Sequence, residues 1–198
     1  SSQPLQKLCV LKDVEESPFF NIFTTIALKP LIKSEVQKWI IEESSKTGVS
    51  LAAEAEWVYE QVGGVPVFVR SICELVLEHK ASKGKLSDDD LDEISDEFQE
   101  KVRESFETVW MSLSEPEQTL CAGLLNSSDV SRQEMHIARK LVRRGFIVEV
   151  EREYNLFGRA FEKFVAEKMD IELEPGAKRA KRAIDAGKKR GWWKFWKT

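Results

Sequence analysis

Residues 60–72, EQVGGVPVFVRSI, place two glycines and a proline between two apolar helical patterns. Gly63 and Gly64 predict the end of one helix, because glycine readily adopts the left-handed backbone that closes a helix. Pro66 predicts the start of the next helix, since its missing N–H costs nothing in a first helical turn. The stretch therefore predicts a sharp corner between two helices.

Apolar residues recur every three or four positions on both sides of this corner, so residues 34–112 predict a bundle of about four helices. Ser34 and Gln37 are predicted to cap the first helix, and Ser87 and Asp90 to cap the last. The residues predicted to face the core in the last two helices are Phe68, Val69, Ile72, Cys73, Val76, Leu77, Leu91, Ile94, Phe98, Val102, Phe106, Val109 and Trp110.

A different order of elements follows residue 112. Residues 113–126 and 131–144 each predict a helix, and only a short turn separates them. Alternating apolar and charged residues at 146–157 predict a two-stranded hairpin, and a last helix is expected up to about residue 169. Helix, turn, helix and a two-stranded wing is the winged-helix order, although little room is left for the usual middle helix. The fold class predicted is mainly α.

Charge is distributed unevenly over the 198 residues. The formal net charge is −4, but residues 176–198 contain nine Lys or Arg and one Asp, a net charge of +8. The rest of the chain therefore carries −12. Because no other segment is comparably basic, this tail is the segment whose charge suggests a polyanionic partner.

Composition narrows the class of protein. Charged residues make up 32% and hydrophobic residues 42% of the chain, which is typical of a globular protein. No apolar run approaches the roughly 18 residues that span a membrane, and the N-terminus lacks a signal-peptide pattern. We therefore expect a cytoplasmic protein. The first residue is not Met, which favours a fragment or a processed product.

Few residues have the chemistry or spacing of a catalytic or metal site. Cys9, Cys73 and Cys121 are far apart and each lies among apolar residues, which predicts buried, reduced thiols. No Cys-x-x-Cys pair is present, and His79 and His136 are expected at the surface. No Ser-His-Asp, Cys-His or paired-carboxylate arrangement is recognisable. The sequence thus predicts neither a metal site nor a catalytic site in this chain.

The order of segments resembles the C-terminal part of a STAND ATPase, from the signal-transducing branch of the AAA+ P-loop ATPases. The resemblance covers roughly residues 1–169. It is carried by Ser1-Ser2, by FTTIALKPL at residues 23–31, by the helical bundle that contains GGVP, and by the winged-helix order that follows. It implies a remnant of the ATPase core at 1–33, a lid-like bundle at 34–112 and a winged-helix domain at 113–169. Composition and charge add a separate basic, Trp-rich tail at 170–198.

The resemblance also implies a ligand for the corner. Gly64, Val65 and Pro66 are similar to the lid's G-x-P motif, whose proline lies against the base of ATP or ADP. Arg70, one turn further on, could face a phosphate or be a solvated surface arginine. A plain helix–helix corner is the alternative for the whole motif.

The chain departs from the family pattern because it has no G-x-x-x-x-G-K-[ST] motif. The resemblance therefore implies an upstream P-loop domain, and no ATP hydrolysis by this chain alone. It further implies that the winged helix acts as a switch or interaction domain toward that ATPase domain or an effector protein.

DNA binding is an alternative function. Arg132, Arg139, Lys140 and Arg143 give the predicted helix at 131–144 a basic face, which is typical of a helix that lies in the major groove. The predicted wing is acidic and would repel phosphates. A solvated helix with cations near its C-terminal end is the simpler interpretation.

The tail has aromatic residues as well as positive charge. Trp192, Trp193, Phe195 and Trp196 alternate with lysines, a composition typical of a segment that lies at an anionic membrane surface. Docking on a partner protein and stacking on nucleic acid are the other possibilities. A plain solvated terminus is the simplest alternative.

Overall fold

The computed structural model describes residues 30–173. Within this range the chain forms seven α-helices and one two-stranded sheet. The elements are α1 (Lys33–Ser45), α2 (Ala55–Val62), α3 (Pro66–Lys83), α4 (Asp88–Met111), α5 (Glu115–Asn126), α6 (Met135–Arg144), β1 (Ile147–Val150), β2 (Glu153–Leu156) and α7 (Arg159–Met169).

Helices α1 to α4 form the predicted bundle, in which each helix packs against the next along the chain. The predicted corner is confirmed, since α2 ends at Val62 and α3 begins at Pro66. Every residue predicted to face the core of α3 and α4 is buried or half-buried. The bundle follows from the apolar spacing, because each helix has one face that only a neighbouring helix can cover.

The two predicted caps differ in outcome. Ser87 caps α4 as expected: its Oγ accepts from the Asp90 N–H at 3.3 Å, and the Asp90 carboxylate accepts from the Ser87 N–H at 2.8 Å. The predicted cap of α1 is wrong, because α1 begins at Lys33 and Ser34 lies inside its first turn. The Glu35 carboxylate instead accepts from the Ile32 N–H at 2.9 Å. The Glu35 side chain thus caps the start of α1 without a serine at the N-cap position.

The second half has the predicted order of helix, turn, helix and hairpin. A turn fills the interval between α5 and α6, in which no helix forms. Strands β1 and β2 are antiparallel, with Ile147 opposite Leu156 and Val150 opposite Glu153. Glu151 and Arg152 form the connection with φ of 53° and 73°. Helix α5 packs against α6, β2 and α7, so the hairpin is attached to a helical support.

One hydrophobic core runs through both halves. Helix α7 packs against α2 and α4 of the bundle as well as against α5. The Phe157 ring lies 5.9 Å from Phe68 of α3 and 4.9 Å from Phe161 of α7, and Phe161 lies 5.3 Å from Phe106 of α4. The corner between α2 and α3 is thereby held against the end of the hairpin.

Candidate functional site

The Gly63–Gly64 corner is a point where three backbone segments meet. Gly63 has φ of 62°, and a Cβ atom there would lie 2.1 Å from the carbonyl oxygen of Phe157. A Cβ atom on Gly64 would lie 1.8 Å from the carbonyl oxygen of Leu31. Both distances are far shorter than two non-bonded heavy atoms can approach. The two glycines are therefore required by close backbone approach, in addition to ending α2.

The neighbouring segments are fixed to this corner. The Leu31 N–H donates to the Gly64 carbonyl oxygen at 2.8 Å, which ties the segment before α1 to the start of α3. Gly158 approaches from the other side, where an added Cβ would lie 2.4 Å from the Gln61 carbonyl oxygen. The corner is thus a rigid junction between the entry to the bundle, α2 and the turn that leads from β2 to α7.

The other two residues of the predicted nucleotide site lie outside this junction. Pro66 is the first residue of α3 and is exposed, while Gly64 is buried. Arg70 lies one turn further along the same helix face, with 77% of its side chain exposed. Its Nε donates to Glu74 at 3.1 Å, and Lys101 approaches the same carboxylate at 3.2 Å. Hydrogen bonds from these two cations hold the pKa of Glu74 below its usual value.

Two exposed apolar residues, Ile32 and Val67, extend this surface and were not predicted. Val67 follows Pro66 and is 63% exposed, and Ile32 follows Leu31 and is 62% exposed. Since Leu31 is hydrogen-bonded to Gly64, both residues lie beside the corner. Val67 falls outside the predicted core-facing stripe of α3, which is the one sequence signal for its exposure. Ile32 has no such signal, because its position depends on the hydrogen bond between its neighbour Leu31 and the distant Gly64.

The basic residues of the alternative DNA site surround α6. Arg132 lies in the turn before the helix, and Arg139, Lys140 and Arg143 are on it; all four are exposed. Lys140 is occupied by an ion pair, with its Nζ 2.9 Å from the buried carboxylate of Glu117. The exposed acidic residues predicted for the wing are Glu149, Glu151 and Glu153.

Glu117 organises the contact between α5 and α6. Its side chain is 4% exposed and accepts hydrogen bonds from the Ser114 N–H at 2.8 Å and from Arg144 at 3.2 Å. Burial opposes ionisation of this carboxyl group, but hydrogen bonds from Ser114 and the Lys140 ion pair outweigh it. Together they lower its pKa to about 2. The basic charge in the middle and at the end of α6, on Lys140 and Arg144, therefore neutralises one buried acid.

The cysteines and histidines show no catalytic arrangement within residues 30–173. Cys73 and Cys121 are buried as predicted, and burial raises the pKa of each thiol to about 12; Cys9 lies outside the described residues. The expectation that both histidines are at the surface is wrong for His79, whose side chain is 13% exposed and contacts Glu97 at 3.2 Å. It lies where α3 packs against α4, which the sequence pattern does not reveal.

Several other predictions concern segments outside the described residues. They include the tail residues Trp192, Trp193, Phe195 and Trp196, and most of the lead-in at 1–33. Among residues 30–173, no group of three or more His, Cys, Asp or Glu is placed to hold a metal ion. No helix in the same range is both long and apolar enough to cross a bilayer.

Comparison with protein families identifies a family for the chain. The family model described as "Novel STAND NTPase 2" matches residues 1–130 of the 198, which is the lead-in segment, the bundle and α5. No curated protein and no solved structure matches the chain.

Proposed function

The chain belongs to the family of novel STAND NTPases 2, and from that premise we propose that it is a regulatory module of such an NTPase. In this proposal Gly64 and Pro66 form the site for the base of ATP or ADP, with the exposed Pro66 against the base and the buried Gly64 fixing its position, and Arg70 faces the phosphates. The hairpin half acts as a switch or interaction domain. The phosphate-binding loop and ATP hydrolysis belong to a P-loop domain, since this sequence has no G-x-x-x-x-G-K-[ST] motif.

An exposed apolar face on a rigid backbone carries this proposal. Pro66, Val67 and Ile32 present apolar surface to solvent beside a junction that backbone contacts hold in place. A flat, largely apolar purine ring is a suitable group to cover such a surface. Preorganised contacts bind more tightly, because little conformational entropy is lost on binding.

The junction also supports a route from nucleotide to switch. Gly63 packs on the Phe157 carbonyl group, and Gly158 packs on Gln61, so the corner and the end of the hairpin touch through backbone atoms on both sides. Segments packed this closely tend to move together, because protein interiors transmit displacement. A displacement of the corner on nucleotide exchange would therefore carry the β2–α7 turn with it.

The test is nucleotide affinity in the complete gene product that contains this chain. Replacing Pro66 with Ala removes apolar area from the proposed base contact, and at about 25 cal/mol per Å² a loss of roughly 50 Å² weakens ADP binding about tenfold. Pro116→Ala is the matched control, because Pro116 is also an exposed proline in a first helical turn. Equal affinities for the two variants, or a complete gene product without a P-loop, would refute the proposal.

DNA binding through α6 is the second candidate. Within residues 30–173, Arg132, Arg139 and Arg143 form no ion pair, so their charge is available to phosphates. The paired variant Arg139→Ala with Arg143→Ala should abolish salt-dependent DNA binding. The control pair, Arg103→Ala with Arg159→Ala, removes the same charge elsewhere. Binding that both pairs weaken equally would mean non-specific attraction and would exclude this surface.

Membrane attachment through the tail is tested in parallel. Co-sedimentation with anionic vesicles is compared with neutral vesicles, for the full chain and for a chain that ends at Pro175. Pelleting of only the full chain, and only with anionic lipid, would favour an NTPase module held at a membrane surface. Vesicle binding that persists without Trp192, Trp193 and Trp196 would count against an aromatic anchor.

A further inference from the structure

Helix α4 carries a continuous row of acidic residues on its outer surface. Asp88, Asp92, Asp96, Glu100 and Glu104 follow one another at intervals of four residues, and all five are exposed. Residues four apart are neighbours on a helix surface, so the row forms one ridge that extends over most of α4. We call this row the acidic ridge.

The acidic ridge is poorly neutralised within the described residues. Lys163 lies 3.5 Å from Asp96, and Arg103 lies 3.7 Å from Glu100; both distances are long for an ion pair. Asp92 has no cation within ion-pair distance among residues 30–173. Helix α4 as a whole has ten acidic and two basic residues, a net charge of −8. Like charges four residues apart on a helix repel each other and destabilise it. A basic partner that covers the ridge would remove this repulsion.

The chain leaves the described fold beside this helix. Lys168 near the end of α7 pairs with Glu107 of α4 at 2.5 Å, and Glu167 approaches Arg103 at 3.5 Å. The C-terminal ends of α7 and α4 are therefore adjacent. Residues 174–198 continue from this point, and 25 residues reach at most ~90 Å when extended. Helix α4 has 24 residues and is ~36 Å long, so the tail can reach every residue of the ridge.

We propose that the basic tail, residues 176–198, docks along the acidic ridge of its own chain. The tail carries +8, the five exposed acids of the ridge carry −5, and the tail starts beside the helix that it would cover. Intramolecular docking also has a high effective concentration, which favours it over contact with a separate partner. This contact does not depend on the nucleotide-sensing role proposed above. As a consequence, anionic membranes and nucleic acids compete with the ridge for the tail and bind it only when it leaves the ridge.

Zero-length cross-linking of carboxylates to lysines tests the contact in the full chain. At low salt, a carbodiimide should join Lys178, Lys181, Lys188 or Lys189 to acids of the ridge within the monomer, as peptide mass spectrometry would show. Raising the salt to about 0.5 M should lower the yield roughly fivefold or more, because the screening length falls toward a few Å.

Variants with neutralised acids distinguish binding to the ridge from attraction to the protein's overall negative charge. The ridge variant Asp92→Asn, Glu100→Gln, Glu104→Gln should lose the cross-links that the tail makes to the remaining ridge acids Asp88 and Asp96, and should bind anionic vesicles more tightly. The control variant Glu78→Gln, Asp129→Asn, Glu151→Gln changes three exposed acids outside α4 and should match the unmodified chain.

Three results would overturn self-docking. The first is cross-links spread equally over acids outside α4, and the second is cross-links that appear only between two chains. The third is vesicle binding that does not differ between the ridge and control variants. Far-ultraviolet circular dichroism establishes that each variant is folded, and all six substitutions are at exposed positions, so loss of structure is not expected.

Discussion

Two separate features of the structure favour glycine at position 63: its backbone conformation and its close neighbour. Its φ of 62° and ψ of −146° lie close to a backbone region that only glycine adopts readily, and the carbonyl oxygen of Phe157 excludes a Cβ atom for a second reason. Gly84 ends α3 with φ of 80° but has no atom within 4 Å of an added Cβ. The two glycines both have a positive φ and differ in their surroundings, so comparing them tests the effect of the Phe157 contact.

We predict that Gly63→Ala destabilises the protein by at least ~2 kcal/mol more than Gly84→Ala does. Both variants put an alanine at a positive φ, and only Gly63→Ala must also displace the Phe157 backbone. Urea unfolding followed by circular dichroism measures the difference. Equal losses of stability would mean that the corner has room to relax and is not a rigid junction.

Glu117 is a buried residue whose negative charge stabilises the folded state. Its pKa of about 2 lies below the ordinary 4.5, so the folded protein binds the proton more weakly than the unfolded chain. The stability that this shift contributes is fully present above pH 4.5 and is lost as the pH falls toward 2. This makes the α5–α6 contact sensitive to acid.

Glu117→Gln should cost ~3 kcal/mol at neutral pH, because it leaves Lys140 and Arg144 beside an uncharged buried group. The difference from the unmodified chain should shrink as the pH falls from 4.5 toward 2. Denaturant unfolding over this range measures it, with the exposed neighbour Glu115→Gln as control. A difference that is independent of pH would show that the effect is one of packing and not of charge.

Among the elements, the hairpin is well predicted as an element and poorly predicted in its details. The alternation from Phe146 to Glu151 predicts a strand, but it puts apolar residues on both faces and does not select the inner one. The structure buries Ile147 at 2% exposure and leaves Val150 49% exposed. Which face is covered depends on α5 and α6, which pack against the hairpin from one side.

The turn of the hairpin is built from unfavourable residues. Glu151 and Arg152 both have positive φ, as a type I′ turn requires, and neither residue type favours that conformation. Replacing them with Asn and Gly should stabilise the protein by ~1 kcal/mol. Thermal unfolding tests this, and Asp129→Asn, an exposed substitution in the α5–α6 turn, is the control. A loss of stability would mean that these two side chains contribute more than their backbone strain costs.

For the whole molecule, the continuous core is the main finding. The predicted boundary near residue 112 falls between α4 and α5, and whether the halves act as separate domains stays a prediction. The aromatic contacts from Phe68 through Phe157 to Phe161 cross that boundary. Rings in contact at these distances couple the stability of the elements that carry them.

We predict that the two halves unfold in one cooperative transition. Phe161→Ala should destabilise bundle and hairpin together by ~3–5 kcal/mol, because it empties the centre of the shared core. Amide hydrogen exchange measured separately for α3 and β2 should show coincident losses of protection. Met111→Ala, at a side chain that is 80% exposed, should change neither. Loss confined to the hairpin would instead support two independent domains.

The sequence by itself determined the helices, the corner, the hairpin and nearly all of the core-facing residues of α3 and α4, because these follow from local backbone preference and from periodic apolar spacing. Only the tertiary structure decided four other features. They are the close contacts that require glycine at the corner, the position of His79, the acid that pairs with Lys140, and the face of β1 that is buried. Each of these depends on atoms brought together from distant parts of the chain. Local sequence encodes which surfaces need a partner, whereas packing decides which partner they receive.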